Sequence, residues 1–299
     1  MEESSKVPSV LDKLLPHKDQ LILGKIQSFY AGIGKPSWKE YEYDIQRFDG
    51  QVPAEYAAAA LNPLAEMSAA DDFLEYYSQL RAEAIAGDGE ALNDLGWYWL
   101  NGFEMAADPL LARQLFIMAA AQECSLALFN LGEQAYFGRG IAVDAPQAED
   151  YYQQALENGV PWAGVSLGRM YDTEGSDDEH DFSYDHGKAV AYYKQGIELR
   201  DYEAGFYYAR LALDRESSQY NVIEGLYWMQ WAALKGVVTA SEALALYYHN
   251  VLVFTSIDGP TQLLYCFWRD FAIQQGGYWE ETSIDVDIKE AKSCLPLYP

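Results

Sequence analysis

Basic residues are scarce in this chain: 20 Lys and Arg stand against 46 Asp and Glu, a formal net charge of −26. Residues 1–50 contribute only −1 of that, so residues 51–299 carry −25. Such a surface repels phosphate backbones and anionic headgroups, which disfavours nucleic acid and a charged membrane surface as ligands; it either speeds encounter with basic partners or serves only to keep an aromatic-rich chain soluble. Cysteine is also rare. Cys124, Cys266 and Cys294 are odd in number, far apart and free of any C-x-x-C spacing, so neither a disulfide framework nor a zinc site is expected, and a reducing compartment fits. The four histidines, His17, His180, His186 and His249, offer few general bases, and none accompanies a convincing nucleophile. No apolar run reaches membrane-spanning length, and the opening "MEESSKVPSVLDKLLP" lacks an apolar signal core, so a soluble cytoplasmic protein is expected.

Several local motifs fall short of the chemistry they suggest. Gly164-Val165-Ser166-Leu167-Gly168 fits G-x-S-x-G, but a nucleophile elbow needs a buried strand before the serine. The preceding "YYQQALENGVPWA" offers helix formers, an Asn158-Gly159 stop and Pro161 instead, so serine hydrolysis through Ser166 is disfavoured. "AGIGKPS", around Gly34-Lys35, lacks the first glycine of a phosphate-binding loop. The acidic stretch "DTEGSDDEHDFSYDH" gathers Asp177, Asp178, Glu179, His180, Asp181, Asp185 and His186. Its Gly175 precedes the acids and no glutamate closes a twelve-residue loop, so a solvated insertion is expected and neither a metal nor another cofactor. "SIDVDIKE" fails the same test.

Aromatic residues are plentiful, at 15%, and half the chain is apolar, ample for a folded protein. Internal periodicity shows how they are used. "ALNDLG" from Ala91, "ALFNLG" from Ala127, "AGVSLG" from Ala163, "AGFYYA" from Ala204 and "ASEALA" from Ala240 follow one another at steps of 36, 36, 41 and 36 residues. A second series, "LFIMAAAQE" from Leu115, "YYQQALENG" from Tyr151, "YYKQGIELR" from Tyr192, "WMQWAALKG" from Trp228 and "WRDFAIQQG" from Trp268, steps by 36, 41, 36 and 40. The shared step of 41 places an insertion between Ala163 and Tyr192, in the acidic stretch. In this register Ser166 takes the place of Asp94 and Asn130, and Gly168 that of Gly96 and Gly132, where two helices approach closely.

Each unit reads as a helical hairpin. Leu92, Leu95, Gly96 and Trp99 share one helical face, as do Leu111, Leu115, Met118 and Ala119. Asn101-Gly102 and Gly138-Arg139-Gly140 stop first helices, whereas Asp108-Pro109 and Asp144-Ala145-Pro146 start second ones. Short connections such as "ENGVP" require neighbours to stack, since one hairpin cannot bury its own apolar stripe. The expected organisation is a capping segment over 1–52, a degenerate repeat over 53–86, five repeats over 87–276, and a terminal helix and tail over 277–299, with Ile284, Ile288, Ala291 and Leu295 on one face.

These units resemble the Sel-one-like repeat, a relative of the tetratricopeptide repeat with the pattern A-x-x-x-L-G-x-x-Y-x-x-G-x-G, a short connection, then A-x-x-W/Y-Y-x-x-A-x-x-x-G. "ALFNLGEQAYFGRGIAVDAPQAEDYYQQALENG" matches it most closely, departing at Ala135, and "AGVSLGRMY" matches in full. In the later units Tyr208-Ala209 and Leu244-Ala245 replace Leu-Gly. The resemblance covers about residues 87–276. It implies an all-α, right-handed superhelix, a solenoid of helical hairpins whose inner face binds proteins or peptides without catalysis. Some bacterial members act as signalling or secretion adaptors and others as immunity proteins for secreted toxins.

First-helix positions facing away from the partner helix are the candidate groove: Glu90, Asn93, Trp97 and Asn101, then Leu126, Phe129, Glu133 and Phe137, then Trp162, Val165, Arg169 and Asp172, then Glu203, Phe206, Arg210 and Asp214. Rings flanked by acids suit a basic, partly apolar segment. Trp97, Phe129 and Trp162 are equally at home as packing between repeats. A basic protein partner, held inactive as an immunity protein holds a toxin, is the leading expectation. A scaffold or adaptor role is the alternative, and a glycan-binding module that stacks sugars on its rings comes third.

Overall fold

The computed structural model describes residues 10–18, 20–21, 71–102, 107–172, 184–254, 259–280, 282 and 284–285. Among these residues there are twelve helices and no strand. A short helix α1 (Val10–Leu14) is followed by α2 (Asp71–Ala86), α3 (Gly89–Asn101), α4 (Pro109–Ala120), α5 (Ser125–Phe137) and α6 (Ala145–Glu157). Then come α7 (Ala163–Asp172), α8 (His186–Glu198), α9 (Tyr202–Leu213), α10 (Val222–Leu234), α11 (Val238–Phe254) and α12 (Gly259–Gln274). The chain forms two compact units, Met1–Tyr151 and Tyr152–Pro299, divided within α6. The expected first helix of the degenerate repeat, most of the capping segment, the P-loop-like stretch and the terminal face beyond Asp285 lie outside the described residues.

The period of the sequence is a period of turns. Second helices end on a residue in the left-handed region: Gly87, Glu123, Gly159, Arg200, Gly236 and Gly276, with φ of 96°, 64°, 86°, 66°, 98° and 89°. The next N–H then reaches back five residues, as in Asp88 N to Glu83 O and Cys124 N to Ala119 O at 3.1 Å, Val160 N to Ala155 O at 3.0 Å, and Asp201 N to Gly196 O at 2.9 Å. This is the six-to-one bond that satisfies the last carbonyls of a helix and redirects the chain. Glycine adopts that conformation freely, whereas Glu123 and Arg200 hold it with a side-chain penalty of about 1 kcal/mol.

Second helices begin just as regularly. Asp108, Asp144, Asp185 and Asn221 each place a side-chain oxygen on an amide of the first helical turn, at 3.0 to 3.2 Å for Leu111, Gln147, Lys188 and Glu224. Such caps are worth about 1 kcal/mol each. The backbone N–H of each capping residue also closes the loop of its hairpin, donating to Trp99 O, Ala135 O, Tyr171 O and Asn221's partner Ala212 O at 2.7 to 3.0 Å. The span of that bond is nine residues in three repeats and fourteen in the one closed by Asp185. The five inserted residues therefore lie between Tyr171 and Asp185, as the register predicts, and the loop holding them is fastened by the same bond as its counterparts.

Three hairpins close with an aromatic ring set on a glycine. A methyl group added at Gly96 would sit 2.5 Å from a ring carbon of Phe116, and one at Gly205 would sit 2.8 Å from the indole of Trp231. One at Gly168 would overlap the ring of Tyr193. The rings thus fill volume that only glycine leaves vacant. In the first unit α1 is tied to α2 through Arg81, which is 8% exposed and donates to Leu15 O and Asp12 O, both at 3.0 Å, and to Asp12 Oδ1 at 2.6 Å. Tyr77, fully buried, donates to Pro16 O at 2.9 Å, and its burial pushes the phenol up to about 12. In the second unit a core of Ala209, Met229, Leu244 and Trp268 runs through α9 to α12.

Candidate partner-binding surface

In the first unit the first helices α3 and α5 expose Glu90, Trp97, Asn101 and Phe137. Trp97 is 46% exposed and Phe137 57%, unusual for rings of this size, with Phe137 set edge-on to Tyr136 at 4.9 Å between centroids. Asn101 is held in place, donating to Trp97 O and accepting from Arg139 Nη2, both at 2.9 Å. Leu126, Phe129 and Glu133 are half-buried. Asn93 departs from the expectation: it is only 5% exposed, and its Oδ1 accepts from Asn130 Nδ2 at 2.9 Å. The face of α3 that turns from α4 there meets α5 of the next repeat, so Asn93 joins repeats and offers nothing to a ligand.

In the second unit α7 and α9 expose Arg169, Glu203 and Arg210, with Trp162 (47% exposed) just before α7 and Asp214 just after α9 also exposed, while Phe206 is half-buried. Val165 is buried in the slot that Asn93 holds in the first repeat. Asp172 is a second departure. Its side chain is 3% exposed, forms an ion pair with Arg210, and accepts from the Tyr193 hydroxyl at 3.0 Å. The carboxylate turns inward because α8 and α9 each supply a donor to it. Burial, with the neighbouring carboxylate adding to it, pushes the Tyr193 phenol far above its ordinary range, so it remains a donor.

The electrostatics of this surface differ from the expected pattern of rings among acids. Arg169 and Arg210 lie over the Tyr207 ring, with guanidinium carbons 5.7 and 5.5 Å from its centroid. Lys188 covers Tyr171 at 4.7 Å and Lys194 covers Tyr208 at 4.9 Å. These four cations thus lie over tyrosine faces, where the ring quadrupole attracts them. Tyr207 was not singled out by periodicity. The signal for it was the i, i+3 spacing of Tyr207 to Arg210, which alone does not tell a paired cation from a solvated one.

Ser166 is half-buried within α7, its N–H bonded to Trp162 O at 3.1 Å, and no strand precedes it among the described residues. The elbow geometry is therefore missing. Among the described residues no three His, Cys, Asp or Glu side chains are placed to hold a metal ion, and the acidic loop 173–183 lies outside them. No helix among the described residues is long and apolar enough to cross a membrane.

No protein-family model matches the sequence, and no curated protein is significantly similar to it. Solved structures are similar. A Sel1 repeat protein from Oxalobacter formigenes is 27% identical over 67% of this chain and 78% of its own, with a TM-score of 0.57. A protective antigen of uropathogenic Escherichia coli displaying an SLR fold is 21% identical with a TM-score of 0.52, over 68% of this chain, which spans 41% of that protein. An immunity protein from Pseudomonas aeruginosa, 18% identical over 67% of this chain and 72% of its own, superposes loosely, with a TM-score of 0.43. The hairpins described above have the Sel1-like repeat fold.

Proposed function

We propose that this chain, built on the Sel1-like repeat fold, is a non-catalytic protein that binds a basic protein partner and holds it inactive, in the manner of an immunity protein bound to a toxin domain. The observation that carries the proposal is the charge: −25 within residues 51–299, the part that contains the repeats. Exposed Trp97 and Phe137 on first helices, with Trp162 just before one, supply area that an incoming surface can desolvate. Charge speeds encounter and rejects acidic competitors, while the rings slow dissociation. Glu90, Trp97, Asn101 and Phe137 in one unit, and Trp162, Arg169, Glu203 and Arg210 in the other, are the contact residues, with half-buried Phe129 and Glu133 beside them. The reducing, cytoplasmic setting expected from cysteine usage belongs to the same proposal.

The test is capture of the partner by the tagged full chain from its native host at low salt, followed by co-production of the two in a naive host. A basic protein that arrests growth alone and is silenced by this chain is the expected result. A basic partner whose activity is unaffected would make the chain a scaffold or adaptor, and an acidic partner would overturn the electrostatic basis.

A further inference from the structure

Between the C-terminal ends of α7 and α9 lies a cavity of about 340 Å³, lined by Asp172, Tyr184, Arg210, Leu211 and Asp214. Three features set its electrostatics. The Arg210 cation is offset by the Asp172 carboxylate, with which it pairs. The last residue of α7 is Asp172 and that of α9 is Leu213, and helix C-terminal ends carry a partial charge of roughly −0.5 each. Among the described lining residues Asp214 adds a second carboxylate, to whose Oδ1 the Glu216 N–H donates at 3.0 Å. The described lining, two carboxylates against one guanidinium, carries a net formal charge of −1. Tyr184, 47% exposed, lines the same cavity, its ring set against His186 at 4.0 Å between centroids. His186 is anchored in turn by Ser217, Oγ to Nδ1 at 3.1 Å. A lining that combines an aromatic ring, a carboxylate and the apolar Leu211 suits a cation on an aliphatic stem.

The geometry points to this cavity as the receptor for one lysine or arginine side chain of the protein partner. It rests on the binding role proposed above and names the chemical group recognised at that surface. The stem lies along Leu211, the charged head between the Tyr184 ring and the Asp214 carboxylate.

The test needs no partner. The full chain, with its tyrosine rings carbon-13 labelled and the Tyr184 signal assigned through Tyr184→Phe, is titrated with Nα-acetyl-lysine methylamide, with the norleucine analogue, and with the glutamate analogue. A saturable shift of the Tyr184 signal by the lysine compound is expected, with a dissociation constant on the order of millimolar. Asp214→Asn should weaken it about two- to fivefold, and Glu75→Gln, exposed on α2 in the other unit, should leave it unchanged. An equal response to norleucine, a stronger one to glutamate, indifference to Asp214→Asn, or no saturable shift would each overturn the assignment. Any of these would leave partner capture and its salt dependence untouched, so failure of the cavity and failure of the binding role are read separately.

Discussion

Replacing Gly168 with alanine sets two effects of opposite sign against each other. Alanine is the better helix former by about 1 kcal/mol, and Gly168 lies inside α7, so local propensity alone forecasts a stabilised protein. Packing forecasts the reverse. The added methyl would stand within 2.7 Å of three atoms of the Tyr193 ring, closer than carbon atoms approach. That ring has nowhere to go, because Tyr193 is fully buried and its hydroxyl is bonded at 3.0 Å to Asp172, itself paired with Arg210. Displacing a ring in a filled core costs about 1–3 kcal/mol, and stretching a hydrogen bond to a buried charge about 1.5–3 kcal/mol more. The net forecast is a loss of roughly 2–4 kcal/mol, or about 5–10 °C in a thermal melt followed by far-ultraviolet circular dichroism. Gly259→Ala is the control: it begins α12 with nothing near the new methyl, so its melting temperature should hold or rise slightly. A Gly168→Ala protein as stable as this control would refute the ring-on-glycine account of hairpin closure.

Three further outcomes follow from the same contacts. Asp172→Ala should cost about 2–4 kcal/mol in urea denaturation, because it strands the Tyr193 hydroxyl and Arg210, whereas exposed Glu203→Ala should change stability by less than about 0.5 kcal/mol; equal effects would place Asp172 on the surface after all. Burial alone would raise the Asp285 carboxyl, but Thr282, Tyr265 and Arg269 donate to it and bring it down to about 2. A depressed folded-state value stabilises the protein above the ordinary carboxylate range, so about 2 kcal/mol should be lost as pH falls from about 4 to 2, and Asp285→Asn should remove that step. Fluorophosphonate should leave the chain unlabelled; labelling that vanishes in Ser166→Ala would restore the hydrolase reading.

What could be read without coordinates was whatever depends on one residue type at one place. A left-handed turn asks for glycine, a helix start for aspartate, and a close helix approach for glycine, so the Asn158-Gly159 stop, the starts at Asp108 and Asp144, and Gly96 with Gly168 were legible, and the two aligned series disclosed both the period and its 41-residue exception. Glu123 and Arg200 hold the same turn without the telltale residue, and only register marks them. The surface was less legible. A position that turns from its own second helix faces either solvent or the first helix of the next repeat, and side-chain identity does not decide which. Hence Trp97 and Trp162 are exposed as the groove pattern asks, while Asn93, Val165 and Asp172 are drawn inward by Asn130, by packing, and by Tyr193 with Arg210. Net charge likewise gave no warning that Arg169 and Arg210 would share the Tyr207 ring.

The most direct test of the central claim, that an acidic repeat protein captures a basic partner through its charge, is the association rate constant with the captured partner, measured by stopped flow across a range of ionic strength. Steering by a field of this sign predicts a fall of roughly tenfold or more between low and high salt, with a much smaller change in dissociation. Charge reversal at Glu90 and Glu133 should flatten that slope without loss of helicity. An association rate indifferent to salt and to both reversals, or a partner of net negative charge, would contradict it.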